Sequence, residues 1–368
     1  SDRITGSGTI TNTAFAAYTW DGSTDTTWTA TDTTSWSGGT FTDGNLVNFG
    51  DTGAGTVTVS GAVAPLLVNV DNTTGNDYIF TGDAINASSG FNKAGTGSLT
   101  LQNVVNSEIA LDAGTLEIAT ATTFSEGVVM AAGSTLTVSG TYTDSANSDV
   151  TALDNTGATV NLETGGIIDL TDLNTSGGTF VPFGNGTVNL NGGSFVSDDA
   201  LTVSDTFEYT GTLNFNDGTF TVPVAQGIAS GDPTWNINGS SSTIALGILN
   251  LEAAGRDLTI NFNLDATGVS TIAVANYIRL GLVDIVVDGT NYTGTTGTTI
   301  NLITSNGSGA VDPLSVTVVA GSFNASGLNP LVALDGNNLV LTLSETPTSY
   351  TWDGEGTDAD WSTAENWV

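Results

Sequence analysis

The sequence contains no cysteine and no histidine. The first absence removes disulfides and thiol chemistry and suits an exported protein. The second removes the commonest general base and metal ligand. Positive charge is nearly missing too: Arg3, Lys93, Arg256 and Arg279 stand against 38 acidic residues, for a net charge of -34. Nucleic acids and anionic lipids are gripped through Lys and Arg, so both are excluded as partners. No uninterrupted run of about 18 apolar residues occurs, so membrane insertion of this region is not expected. The most apolar stretch, YIRLGLVDIVV (277–287), is broken by Arg279 and Asp284. No signal-peptide pattern opens the sequence, and an export signal or anchor is expected outside it.

What is present points one way. The chain is 39% hydrophobic and therefore able to bury a sizeable core, although only 11% of its residues are charged. Helix formers are scarce, Gly occurs 47 times, and Thr, Asn, Ser and Val crowd the remainder. Thr and Val favour strands, while Gly, Asn and Asp punctuate them as turns, so the fold class is all-β. Most acids are Asp, which reads as turn and cap chemistry in solvated loops.

The strands recur in one form, a Gly-containing turn followed by a short alternating segment. GTGSLTLQN (95–103), DAGTLEIAT (112–120), AAGSTLTVSG (131–140), NTGATVNLETG (155–165), GNGTVNLNGGSF (184–195) and YTGTLNFNDGTFTV (209–222) share it. Their matching apolar positions are Leu99, Leu116, Leu136, Val160, Val188 and Leu213, separated by 17, 20, 24, 28 and 25 residues. Such steps fit one coil each of a parallel β-solenoid with loops of variable length. An antiparallel sandwich would place turn signals every 8–12 residues. In a solenoid the Leu, Val, Ile and Phe positions form interior ladders, Thr, Asn and Ser meet water, and Gly and Asn are expected at left-handed corners.

Four regions follow. Residues 1–17 are a strand-like extension, and 18–265 hold a Trp-rich opening module and the coils. Residues 266–345 carry longer apolar strands, expected to form a β-rich C-terminal cap or a small β-sandwich, because an exposed solenoid end is an open sheet edge. Residues 346–368 are a linker and the start of a second Trp-rich motif. YTWDG at 18–22 returns at 350–354: Trp20, Trp28 and Trp36 follow the first copy, and Trp352, Trp361 and Trp367 the second.

The opening module resembles a known family. Trp-Asp-Gly, spaced tryptophans, DGNLVNFGD (43–51), TVTVSGAVAPLLVNVDNTTGNDYIFTGDAI (56–85) and GTGSLTLQN look like the autotransporter-associated β-strand repeat, also called the passenger-associated transport repeat. The resemblance covers residues 18 to about 103 well and the later coils more loosely. It implies a right-handed parallel β-helix, export to the bacterial cell surface, and a role as stalk, adhesin or scaffold.

Three chemistries compete for the remaining signals. The aromatic residues Trp20, Trp28, Trp36, Tyr350, Trp352, Trp361 and Trp367 are expected at module junctions, capping coils and serving head-to-tail self-association. The alternative is a carbohydrate-binding adhesin whose indoles stack on cell-surface glycans. Trp235 is expected to pack at a loop. Calcium is the one cofactor considered, at Asp353, Glu355, Asp358 and Asp360, since calcium takes six to eight oxygens, often from alternating acids. A polysaccharide-degrading β-helix enzyme would need two carboxyl groups roughly 5–10 Å apart on one face. Asp198 and Asp199, the only adjacent acids, point to opposite faces of a strand, so no enzyme is expected. The expected function is an extracellular structural module of a bacterial surface fibre, stalk or filament.

Overall fold

Alternation of polar with apolar residues puts every second side chain on the same face of a strand. In the computed structural model these apolar faces close around one interior. The structure describes residues 16–22, 24–120, 122–124, 127–144, 153–155, 157–170, 185–197, 211–226, 233–250, 258–281, 283–345 and 351–353. The result is a β-solenoid of parallel stacked strands.

One interior column runs nearly its whole length. Tyr78, Leu99, Leu116, Leu136, Val160, Val188, Leu213, Trp235, Ile260, Ile285 and Val316 are successive register partners. All except Val316 are buried. The six positions matched in sequence, from Leu99 to Val188 and Leu213, fall in this column in order. Two residues along each strand, Leu101, Ile118, Val138, Leu162, Leu190, Phe215, Ile237, Phe262 and Val287 make a second column. A second wall stacks Val47, Val68, Phe91, Ile109 and Val128. A third stacks Tyr142, Ile168, Phe195, Phe220, Ile244, Ile272 and Ile303.

Corners belong to glycine. Gly82 has φ 90°, and a Cβ there would lie 2.1 Å from the Val59 carbonyl oxygen of the coil below. No side chain fits that approach. Among the described residues every positive φ is a glycine's. Asparagine shares the turns, as at Asn72, Asn86 and Asn106, though without a left-handed backbone, and a further set sits in mid-strand, where its amide has a different partner.

The change of texture near Ala266 is not the end of the coils. Val283–Asp288 pairs in parallel with Leu258–Asn263, and Ser315–Val318 pairs in parallel with Val283–Asp288. The cap comes later, as an antiparallel hairpin of Leu328–Asp335 and Asn338–Glu345. Its second strand lies antiparallel on Thr299–Ser305 and buries Leu339, Leu341 and Leu343. The apolar strands of this region serve two purposes, filling the last coils and closing them.

Core and surface positions on one strand should respond very differently to truncation. Leu136→Ala opens a void in a fully buried column and should cost about 2–4 kcal/mol. Thr137→Ala, facing outward next to it, should cost less than about 0.5 kcal/mol. Thermal unfolding followed by circular dichroism compares them, and equal shifts would contradict the assigned register.

Candidate functional site

The sequence places its candidate residues at the two ends of the solenoid. At the first end, Ala17–Trp20 pairs in parallel with Leu46–Phe49 and antiparallel with Trp36–Ser37, bringing Trp20 opposite Trp36. Ring centroids lie 5.1 Å apart for Trp20 and Trp36, 5.5 Å for Trp28 and Trp36, and 5.3 Å for Trp36 and Phe41, which stack. Phe49 sits 5.5 Å from Trp28 and 4.8 Å from Phe80, linking the cluster to the coil above. The trio forms an aromatic plug, with Trp20 and Trp28 at 0% exposure and Trp36 at 5%.

The indole nitrogens show what decides this arrangement. Trp20 Nε1 donates to the Gly53 carbonyl at 3.1 Å. Trp28 Nε1, Trp36 Nε1 and Asp32 Oδ2 are buried without a hydrogen-bond partner. Each such group costs about 1–3 kcal/mol. Burying an indole of roughly 200 Å² returns about 5 kcal/mol, before the ring–ring term. Ring burial therefore outweighs the lost hydrogen bonds.

This geometry corrects the sugar-stacking alternative for these residues: the faces of Trp20, Trp28 and Trp36 are turned inward and no glycan reaches them. Trp235 is likewise a core residue, on the strand Thr234–Asn238 rather than at a loop. Trp352 is exposed at 38%, and Asp353 is also exposed. Tyr350, Trp361, Trp367, Glu355, Asp358 and Asp360 lie outside the described residues, as do Asp198 and Asp199. Among the described residues no group of three or more acids is gathered as metal ligands.

Several of the described aspartates do turn work. Asp25 Oδ1 accepts from Thr27 N at 2.7 Å, and Asp51 accepts from Thr73 N and Oγ1 at 2.7 and 2.9 Å. The backbone bond from Thr73 holds the Asp51 carboxyl below its usual pKa. Asp265 ties two coils together, accepting from Ser240 N and Oγ and from Thr267 N and Oγ1. Partial burial works to raise its pKa, but the bonds from Thr267 and Ser240 prevail and hold it well below the carboxylate range.

Sequence reasoning missed three features. Lys93 stands in an interior column between Val70 and Leu111. Its Nζ donates to the carbonyls of Ala94, Gly95 and Ala113 at 2.6, 3.2 and 3.3 Å. Burial pushes its pKa down, against the opposing pull of Asp71 and Asp77. At the far end, Leu314, Val316, Val319, Leu331 and Leu334 are exposed, at 57%, 40%, 37%, 61% and 56%. Ser315–Val318 pairs on one edge with Val283–Asp288, and among the described residues its other edge has no ladder partner.

The third feature is a pair of amide columns on the outer wall. Asn189 Nδ2 donates to Asn161 Oδ1, Asn214 to Asn189, Asn236 to Asn214 and Asn261 to Asn236, at 2.7–2.8 Å. Two residues along, Asn191 donates to Glu163, Asn216 to Asn191, Asn238 to Asn216 and Asn263 to Asn238, at 2.7–2.9 Å. The signal was visible as TVNLN, TLNFN, TWNIN and TINFN, starting at 187, 212, 234 and 259.

No family model matches the chain, and neither the curated proteins nor the solved structures contain a significant match.

The Asp265 bonds predict a pH dependence. A carboxylate whose pKa is depressed on folding stabilises the fold in full above its unfolded pKa of about 4, and the contribution is lost progressively as pH falls from there through the depressed folded-state pKa. Asp265→Asn should lower stability by about 1–2 kcal/mol at neutral pH. The gap between native and variant melting midpoints should then narrow below about pH 4. A gap independent of pH would contradict the assignment.

Proposed function

We propose that the chain is an extracellular structural module of a bacterial surface fibre or stalk, associating head to tail. The observation that carries this reading is the unfinished last rung. Val316 continues the interior column after Ile285, yet it is 40% exposed. It lies on an edge with no described ladder partner, beside Leu314 and Val319. The adjacent hairpin strand adds the exposed Leu331 and Leu334. Interior columns and open edges are completed most directly by another coil, through backbone hydrogen bonds that require no sequence-specific pocket.

The occupant is argued from the sequence. TWDG resumes at 351–354, and Trp361 and Trp367 follow, repeating the order that opens the first coil. The tryptophans of the first motif are already buried in their own plug, but the second motif, with Trp352 38% exposed, has aromatic area to bury, and the exposed Val and Leu residues offer matching apolar surface. The occupant is thus the coil that the second motif opens, supplied by a neighbouring copy or tandem module. The glycan-binding reading has lost its aromatic platform at Trp20, Trp28 and Trp36, and no other observation favours it.

Negative-stain electron microscopy of the chain, with and without calcium, tests the proposal. Rods with a regular axial repeat are expected, more readily at physiological salt, where screening shortens the reach of repulsion between acidic copies to about 8 Å. Val316→Lys combined with Leu331→Lys should shorten or abolish them while leaving the circular dichroism spectrum unchanged. Isolated short particles at high concentration under all conditions would sink head-to-tail association.

A further inference from the structure

We propose that the outer wall carrying the asparagine columns is an ice-binding face. This goes beyond the fibre reading and does not depend on it. Four successive strands present Thr-x-Asn-x-Asn outward, at 187, 212, 234 and 259, and the intervening residues fill the core. Neighbouring strands lie about 4.8 Å apart, and alternate residues of one strand about 6.6 Å apart. The outward groups therefore form a two-dimensional grid of amides and hydroxyls. Its two spacings are close to the repeats of oxygen atoms on a prism face of hexagonal ice.

Charge marks the grid as distinct. On a chain of net charge -34, the outward positions inside the grid are all Thr or Asn, and the acids stand at its margins, Asp217 among them, exposed directly after Asn216 and opposite Asn191. Glu163 borders the grid on one side, and Asp284 and Asp288 border it on the other. A neutral island on an acidic molecule suits a neutral occupant.

Rigidity is the next argument. Asn189, Asn214 and Asn236 each donate one N–H to the coil below and accept one from the coil above. An amide has two N–H groups and two lone pairs, so one of each is left outside the column in a fixed direction. Polar groups held in place lose little entropy when they engage a lattice. Each contact is weak, and the grid multiplies it.

An occupant must be periodic in both directions to use such a grid. A dissolved glycan is not. Protein–sugar contacts also draw on aromatic faces, and here Phe215, Trp235 and Phe262 all point into the core. Crystalline water is uncharged, periodic in two dimensions and made only of donors and acceptors.

The test is partitioning of the full chain into slowly growing polycrystalline ice, together with thermal hysteresis. The native chain should be enriched in the ice fraction and should shape crystals. Thr234→Tyr, a bulky side chain in the middle of the grid, should lower both readouts roughly tenfold, as expected when a multivalent array is spoiled at its centre. Asn236→Asp, which breaks an amide column and adds charge, should do the same. Val129→Tyr, on another wall, should change neither. Circular dichroism shows which variants are folded, and the two grid variants guard against one failing to fold. Exclusion of the native chain from ice would overturn the proposal. So would native-like partitioning of a folded grid variant, or grid-dependent retention on an insoluble neutral polysaccharide without ice binding.

Discussion

Parallel register between successive coils is the constraint on which everything else in this molecule depends. Side chains alternate with a period of two, so a one-residue slip would carry Leu136 or Val160 to the outside and Thr or Asn to the core. Loop lengths vary widely along the chain, yet the interior column from Tyr78 to Ile285 keeps its register through them. The amide columns outside it follow from that same alignment. Each asparagine bond contributes on the order of 1 kcal/mol. A slipped register would move every amide off its partner at once, so the columns specify alignment as well as adding stability.

The ends pose the opposite problem, because a stack of coils exposes its core wherever it stops. The N-terminal end is closed by ring packing tight enough to tolerate two unpartnered indole nitrogens. The C-terminal end is closed only in part. The hairpin strand Asn338–Glu345 covers one wall, while Val316 and its neighbours stay half open. A solenoid with one sealed end and one incomplete end is directional, and direction is what a head-to-tail array requires.

Much of the fold was legible because one kind of residue repeats in one kind of place. Leu99, Leu116, Leu136, Val160, Val188 and Leu213 were matched by their turn-and-alternation context, and they are true register neighbours. The shift in texture near Ala266 misled, because longer apolar strands serve both a coil and a cap. Trp235 looked like a loop residue because its flanks are Gly, Pro and Asn. In space it takes the place of Leu213 one coil on. Asparagine was read only in part, because it occupies turns such as Asn72 and Asn86 and also the mid-strand columns. Its local preference for turns is real, but the gain from pairing amides across coils is a long-range effect that no single strand reveals. Lys93 was illegible for a similar reason: its inward position follows from strand parity, and its acceptors Ala94, Gly95 and Ala113 meet only once the corner is folded. The Trp trio reads in the sequence as aromatic residues that cap the first coil and bury large area, and its rings are buried there.

Charge placement ties these features together. The described aspartates sit mainly at turns, bonded to backbone N–H groups as at Asp51 and Asp265, so the negative charge is concentrated along the corners of the coils. Between corners the walls are largely Ser, Thr, Val and Asn. At physiological ionic strength a corner charge is screened beyond about 8 Å, less than two coil spacings. The centre of a five-residue wall strand lies about 7 Å from either corner, so it feels the nearest corner charges but little of the rest of the -34 total. Corners keep copies of the chain apart side by side, whereas the ends and the neutral wall are left as the surfaces where contact costs least.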